Sequence, residues 1–159
     1  MEKNQHQKFI RHALELAEQG MNKNKGGPFG ALIVENGEII AEASNAVSST
    51  NDPTGHAEIR AIRKACKHKN DFSLQDCILY SSCEPCPMCF GAIYWARLDK
   101  VFYAFTHKDA ADAGFDDSFI YEELEKTKGE QKIPFTQLDE RDHLAVFEHW
   151  KTKSNKIDY

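Results

Sequence analysis

Three soft metal ligands and one carboxylate stand out from this chain by type and spacing. His56-Ala57-Glu58 comes first, and Pro85-Cys86-Pro87-Met88-Cys89 follows about a helix and a strand later. One imidazole and two thiolates suit a tetrahedral zinc ion whose fourth position is left to water. Zinc lowers the pKa of a bound water towards ~7, and Glu58, two residues from the histidine, is then available to move its protons. The expected chemistry is hydrolytic attack on an electrophilic carbon. The closed alternative is a structural zinc with Cys83 as a fourth protein ligand. Structural sites usually draw ligands as two paired knuckles, and one Cys-x-x-Cys with a lone histidine fits that poorly. Cys83 reads instead as a packed thiol just ahead of the helix.

The geometry of the four residues constrains the elements that carry them. Cys86 and Cys89 are three apart, so a helix starting near Pro85 places both sulfurs on one face, one turn apart. Two prolines close together fit only a first turn. The positive end of the helix dipole then lowers the thiol pKa values and favours the metal-binding thiolate. His56 and Glu58 are two apart, about 200° of rotation on a regular helix. They serve one site only if His56 stands in the first turn and Glu58 reaches around the helix end. Pro53-Thr54-Gly55 ahead of them marks a helix start there, running over about 55–67.

Around these two helices the remaining pattern is layered. Residues 5–19 carry a helical apolar stripe ended by Gly20, and 22–27 form a loop. Runs at 29–34 and 38–43 read as strands around the Asn36-Gly37 turn, a strong hairpin signal. Residues 46–54 are polar and turn-rich. Residues 77–81 read as a buried strand, 85–97 as the second site helix and 100–105 as a further strand, with helices expected over 119–126 and 141–152. No repeat, low-complexity tract or linker is visible, so one α/β domain over 1–159 is expected. The helix over 88–97 is apolar nearly all round, which calls for burial on more than one side, the second being another subunit.

Composition narrows the partners. The 159 residues carry a formal net charge of −5 and no basic run, so a nucleic-acid backbone is not the default partner. No apolar run reaches the ~18 residues of a membrane span. Met1 to Gln7 is polar, without the apolar core of a signal peptide. The five cysteines, at 66, 77, 83, 86 and 89, read as metal ligands in a reducing compartment. The cytoplasm is the expected location.

The order His-x-Glu then Pro-Cys-x-x-Cys is a known signature of zinc nucleobase deaminases. Over about 28–117 the chain resembles the cytidine deaminase superfamily and, within it, the small bacterial guanine deaminases. The resemblance implies a three-layer α/β/α fold with a central mixed five-stranded sheet. It also implies one Zn²⁺ per subunit, a small-molecule nucleobase as substrate, and Glu58 as the proton carrier beside His56, Cys86 and Cys89. Asn45 matches the residue that hydrogen-bonds the ring, Phe29 the aromatic wall, and Ala57 and Trp95 further substrate contacts. Asp117 matches the guanine deaminase carboxylate best, with Asp116 next. A carboxylate at the reacting edge favours guanine, whose N1–H and 2-amino groups are adjacent donors, over adenine or cytosine, whose ring nitrogens are bare acceptors. The other reading of Asp117 is a helix N-cap. tRNA adenosine deaminases share the Pro-Cys-x-Met-Cys-x-Gly-Ala segment, but they follow the next strand with a Lys-Thr-Gly-Ala pattern. Here Asp109, Asp112, Asp116 and Asp117 stand there instead. The small guanine deaminases form homodimers in which the C-terminal segment covers the partner's site, which implies that about 151–159 is exchanged and that Tyr159 belongs to a swapped lid. Deamination of another amino-heterocycle and tRNA adenosine deamination are the alternatives.

Overall fold

The computed structural model describes residues 3–139 and 145–158. It divides into two compact units, 1–117 and 118–159. The first runs α1 (Lys3–Asn22), β1 (Gly30–Glu35), β2 (Glu38–Ser44), α2 (Val47–Thr50), α3 (Ala57–Lys69), β3 (Cys77–Cys83), α4 (Pro87–Trp95), β4 (Lys100–Phe105) and α5 (His107–Asp112). The sheet order is β2-β1-β3-β4. β1 pairs antiparallel with both β2 and β3, while β3 and β4 are parallel. The sheet is mixed, as expected, but it has four strands among the described residues, not five. Among the described residues no strand follows β4. Thr106 and Asp109 cap each other's backbone and start α5 at once.

The period-2 pattern of β1 builds three layers. Ala31 and Ile33 face one side, where they meet Ala57, Ala61, Ile62 and Ala65 of α3 and Ile93 of α4. Leu32 and Val34 face the other, where with Tyr80 they meet Phe9 and Ala13 of α1. The β1–β2 turn is the expected one: Asn36 and Gly37 both have positive φ, 50° and 85°, as a two-residue type I′ turn requires.

Gly20 has a different role from the one expected. α1 continues through it to Asn22. A Cβ at Gly20 would lie 2.5 Å from Ser44 Cβ, so the missing side chain permits close approach to β2 and does not stop the helix. The segment expected to be only turns contains the short α2. The site helices each start two residues later than the sequence suggests. His56 and Cys86 are their N-caps, with extended backbone, and Pro87 is the first helical residue of α4.

α4 buries only one side within the chain. Cys89 and Ile93 are buried, whereas Phe90, Tyr94 and Trp95 are 56%, 69% and 68% exposed. The second unit contains α6 (Ser118–Glu125) and α7 (Val146–Thr152), neither of which buries a residue. Local bonds hold its first half together: Glu123 pairs with Lys126 at 2.6 Å and accepts the Lys132 backbone N–H at 2.7 Å. Of the helix expected over 141–152, residues 141–144 lie outside the described residues, as does Tyr159.

Candidate active site

The N-terminal ends of α3 and α4 bring the sequence motif together. His56 Nδ1 lies 3.5 Å from Cys86 Sγ and 3.6 Å from Cys89 Sγ. All three ligand atoms lie within 4.8 Å of one another. A tetrahedral zinc with Zn–S ~2.3 Å and Zn–N ~2.0 Å holds nitrogen and sulfur ~3.5 Å apart. The triad therefore fits that ion in donor type, count and spacing, and the ligand nitrogen is Nδ1. Because His56 and Cys86 are N-caps, both side chains project back past their helix starts, and two positive dipole ends meet at the site. Cys89, one turn into α4, supplies the third donor from a fully buried position.

The protonation of the sulfurs follows from their contacts. The Cys86 thiol is pulled down to about 4 by the hydrogen bond from Cys89 and by His56, against the opposing effect of burial. The Cys89 thiol is pushed up by that same thiolate neighbour and by burial. A metal ion would need both sulfurs as thiolates, so its binding would be coupled to proton release.

Glu58 is the second residue of α3, 5% exposed. Its Oε1 accepts a hydrogen bond from Ser81 Oγ at 3.3 Å. Burial pushes its pKa up, which outweighs the lowering effect of His56. A buried carboxyl whose pKa is raised by desolvation, beside a metal triad, is suited to general acid–base work. The N-cap position of His56 resolves the 200° problem: its side chain lies outside the helical rotation, so Glu58 faces the same cavity.

That cavity measures about 350 Å³, within the usual range for small-ligand sites. His56, Cys86 and Glu58 form its floor chemistry, and Asn45, Phe29 and Asp117 also line it. Asn45 stands just past β2, nearly buried. Its Oδ1 accepts the backbone N–H groups of Gly27 at 3.3 Å and Val47 at 3.0 Å. The amide orientation is thereby set and its NH₂ is left as a donor. The sequence allowed either role; the fold commits the acceptor to the backbone. Gly26 is required for this, since a Cβ there would fall on Asn45 Oδ1. Asp117 is half-buried, and burial followed by the Cys86 thiolate raises its pKa, while His107 lowers it.

Not every expected contact converges on the cavity. Asp116 is exposed and absent from its lining, as is Ala57, which is buried at the first position of α3. Trp95 stands at the far end of α4, nine residues and ~13 Å along the helix from Cys86, and does not line the cavity either. Asp109 is occupied in capping α5. Sequence reasoning missed Phe115, His107 and Glu84, which do line the cavity. Phe115 meets Phe29 edge to face, with ring centroids 5.0 Å apart. Glu84 Oε2 lies 2.9 Å from His107 Nδ1. The sequence signal was Glu84 beside the ligand proline, but its histidine partner lies 23 residues away and no local pattern links them.

The family described as the cytidine and deoxycytidylate deaminase zinc-binding region matches residues 3–105. The chain belongs to this family. Among deaminases of the family's kind, it is 57% identical over 154 residues to the guanine deaminase of Bacillus subtilis, covering 97% of this chain and 99% of that one. The X-ray structure of the B. subtilis guanine deaminase superposes with a TM-score of 0.94 over 97% of this chain and 98% of the other. A guanine deaminase from Nitrosomonas europaea is 32% identical, with a TM-score of 0.66 over 69% of this chain and 63% of the other. The tRNA-specific adenosine deaminase of Aquifex aeolicus is 43% identical, but over 60% of this chain and 63% of its own length. Similarity to the guanine deaminase of B. subtilis thus extends through the region beyond residue 105, where this deaminase chain carries Phe115 and Asp117.

Proposed function

We propose that this chain hydrolyses guanine to xanthine and ammonia, with Glu58 as proton carrier and Asp117 as the group that selects the base. The observation that carries the choice of base is the Asp117 carboxylate in the wall of the metal cavity, and the near full-length likeness to a guanine deaminase supports it. His56, Cys86 and Cys89 would hold the zinc. When bound, it supplies a Lewis acid that makes water nucleophilic near neutral pH.

The chain's own residues then divide the work. Asp117 accepts hydrogen bonds from the N1–H and 2-amino groups of guanine, a paired recognition that adenine and cytosine cannot match. The Asn45 amide donates to O6 or N7, the acceptors on the far edge. Phe29 lies against the flat ring, braced by Phe115. Glu58 takes a proton from the attacking water onto its carboxylate and delivers it to the ring nitrogen next to C2. It then takes the remaining proton from the new 2-hydroxyl and gives it to the amine; the C2–N bond breaks, ammonia leaves and the 2-carbonyl remains. Ser81 fixes the Glu58 carboxylate through Oε1.

The active molecule is a homodimer in this reading, with about 151–159 exchanged and Tyr159 contributed across the interface. The exposed Phe90, Tyr94 and Trp95 on α4 support it. So do Leu138, Phe147 and Ile157 in the second unit, at 78%, 81% and 68% exposure, which is more apolar surface than a soluble monomer usually leaves in water. Among the described residues no helix is long and apolar enough to cross a membrane, and the reduced thiols of the metal site fit the cytoplasm.

The test is ammonia release and the ultraviolet spectrum of zinc-loaded protein with guanine, adenine, cytosine, guanosine and tRNA, with Glu58→Ala as the blank. Guanine conversion that is lost in the blank is the expected result. Turnover of another base with guanine inert would leave the metal site standing and overturn the role of Asp117. Activity on tRNA with strong salt dependence would favour the anticodon-editing alternative.

A further inference from the structure

The Glu84–His107 pair has no part in the chemistry described so far, yet both residues line the catalytic cavity. Glu84 is separated from the ligand Cys86 by one proline. Its Oε2 accepts the backbone N–H of His107 at 3.1 Å and lies 2.9 Å from His107 Nδ1. The Glu84 backbone N–H donates to Phe105 O at 2.8 Å, and Cys83 Sγ donates to Thr106 O at 3.5 Å. The loop that ends in the first thiolate is therefore bound at several points to the β4–α5 junction. From that junction α5 leads through Ala110 to a turn at Gly114, φ +91°, where Gly114 and Phe115 N–H groups bond back to Ala111 and Ala110 at 2.9 Å each. The turn returns Phe115 and Asp117 to the cavity. His107 is also near enough for its charge to act on Asp117.

We propose that His107, held by Glu84, is a specificity-determining positioning residue that sets the distance between the metal loop and the wall carrying Asp117. The inference rests on the guanine reading above. The clamp spans the two halves of the site: metal and Glu58 on one side, base recognition on the other. Its loss leaves the metal triad intact, because His56, Cys86 and Cys89 are brought together by the starts of α3 and α4. It also leaves α5 in place, because Thr106 and Asp109 still cap it. What loosens is the register of Asp117 against the base.

The experiment measures guanine binding directly, by fluorescence titration of zinc-loaded protein made inactive by Glu58→Gln, with and without a change at His107. His107→Leu removes the side-chain bond; His107→Asn keeps an amide N–H near the position of Nδ1. The expected result is about tenfold weaker guanine binding for His107→Leu, the scale of one hydrogen bond to a charged group, with zinc content unchanged and affinity restored by His107→Asn. In the otherwise wild-type enzyme, the same change should raise KM and leave kcat nearly constant. Unchanged affinity in His107→Leu overturns the inference, as does loss of zinc, which would make the pair a support of the metal loop alone. Absence of guanine binding even in the Glu58→Gln parent would overturn the functional reading itself, a separate outcome.

Discussion

At the scale of single residues, the site works by placing two carboxyls of different character on one cavity. Glu58 is nearly sealed from water and held by Ser81, which favours a group that alternates between acid and base. Asp117 is half-buried and suited to accept hydrogen bonds from the N–H groups of a neutral base. Glu58→Gln is expected to keep its zinc, by metal analysis, and to lose about 10²- to 10⁴-fold in kcat, the usual contribution of a positioned acid–base group. A small loss would mean that another group carries the proton. The identities of the metal ligands were legible in sequence because ligand chemistry tolerates few residue types. Phe115, His107 and Glu84 were not, because an aromatic, a histidine and a glutamate each have many uses and only proximity distinguishes them.

At the scale of elements, the site depends on two helix starts and on how closely α1 seats against the sheet. A Cβ at Gly30 would fall on the Ala13 carbonyl and come within 2.6 Å of the Ala17 nitrogen. Backbone atoms cannot swing aside as side chains can. Gly30→Ala should destabilise the fold by roughly 1–3 kcal/mol, read as a lower urea midpoint with an unchanged slope. His12 of α1 reaches Glu42 of β2 at 2.7 Å. Glu42 raises the His12 pKa above its ordinary 6.5, so this pair's stabilisation is complete below that value and lost as pH rises through the folded-state pKa. The stability gap between wild type and His12→Gln should therefore shrink between pH 6 and pH 9; a constant gap would show that the pair contributes packing alone. Strand and helix identities were readable from hydrophobic period and turn chemistry. Gly20 misled because a glycine that stops a helix and one that admits a neighbouring strand look alike in one dimension.

At the scale of the whole molecule, the chain leaves apolar surface that a monomer does not cover. Removing residues 153–159 is expected to reduce turnover while circular dichroism and the thermal midpoint of the remaining chain stay close to those of the intact protein. Full retained activity would exclude a covering role for the tail. If α4 forms the interface between subunits, replacing Tyr94 and Trp95 together by Ser should yield a monomer by sedimentation, with zinc still bound. A dimer that persists would place the interface elsewhere.

The order of residues alone was enough to pick out the metal donors, the carboxylate beside them, the alternation of strands and helices, and the layered α/β class. These depend on residue type and on spacing within one element, both of which are written in the order of the chain. Packing in three dimensions made His56 and Cys86 caps whose side chains leave the helical rotation. It also committed the Asn45 carbonyl to backbone donors, brought Asp117 to the cavity but not Asp116, and joined Glu84 to His107. These depend on distances between segments far apart in sequence, and such distances are fixed only when the sheet and its helices pack.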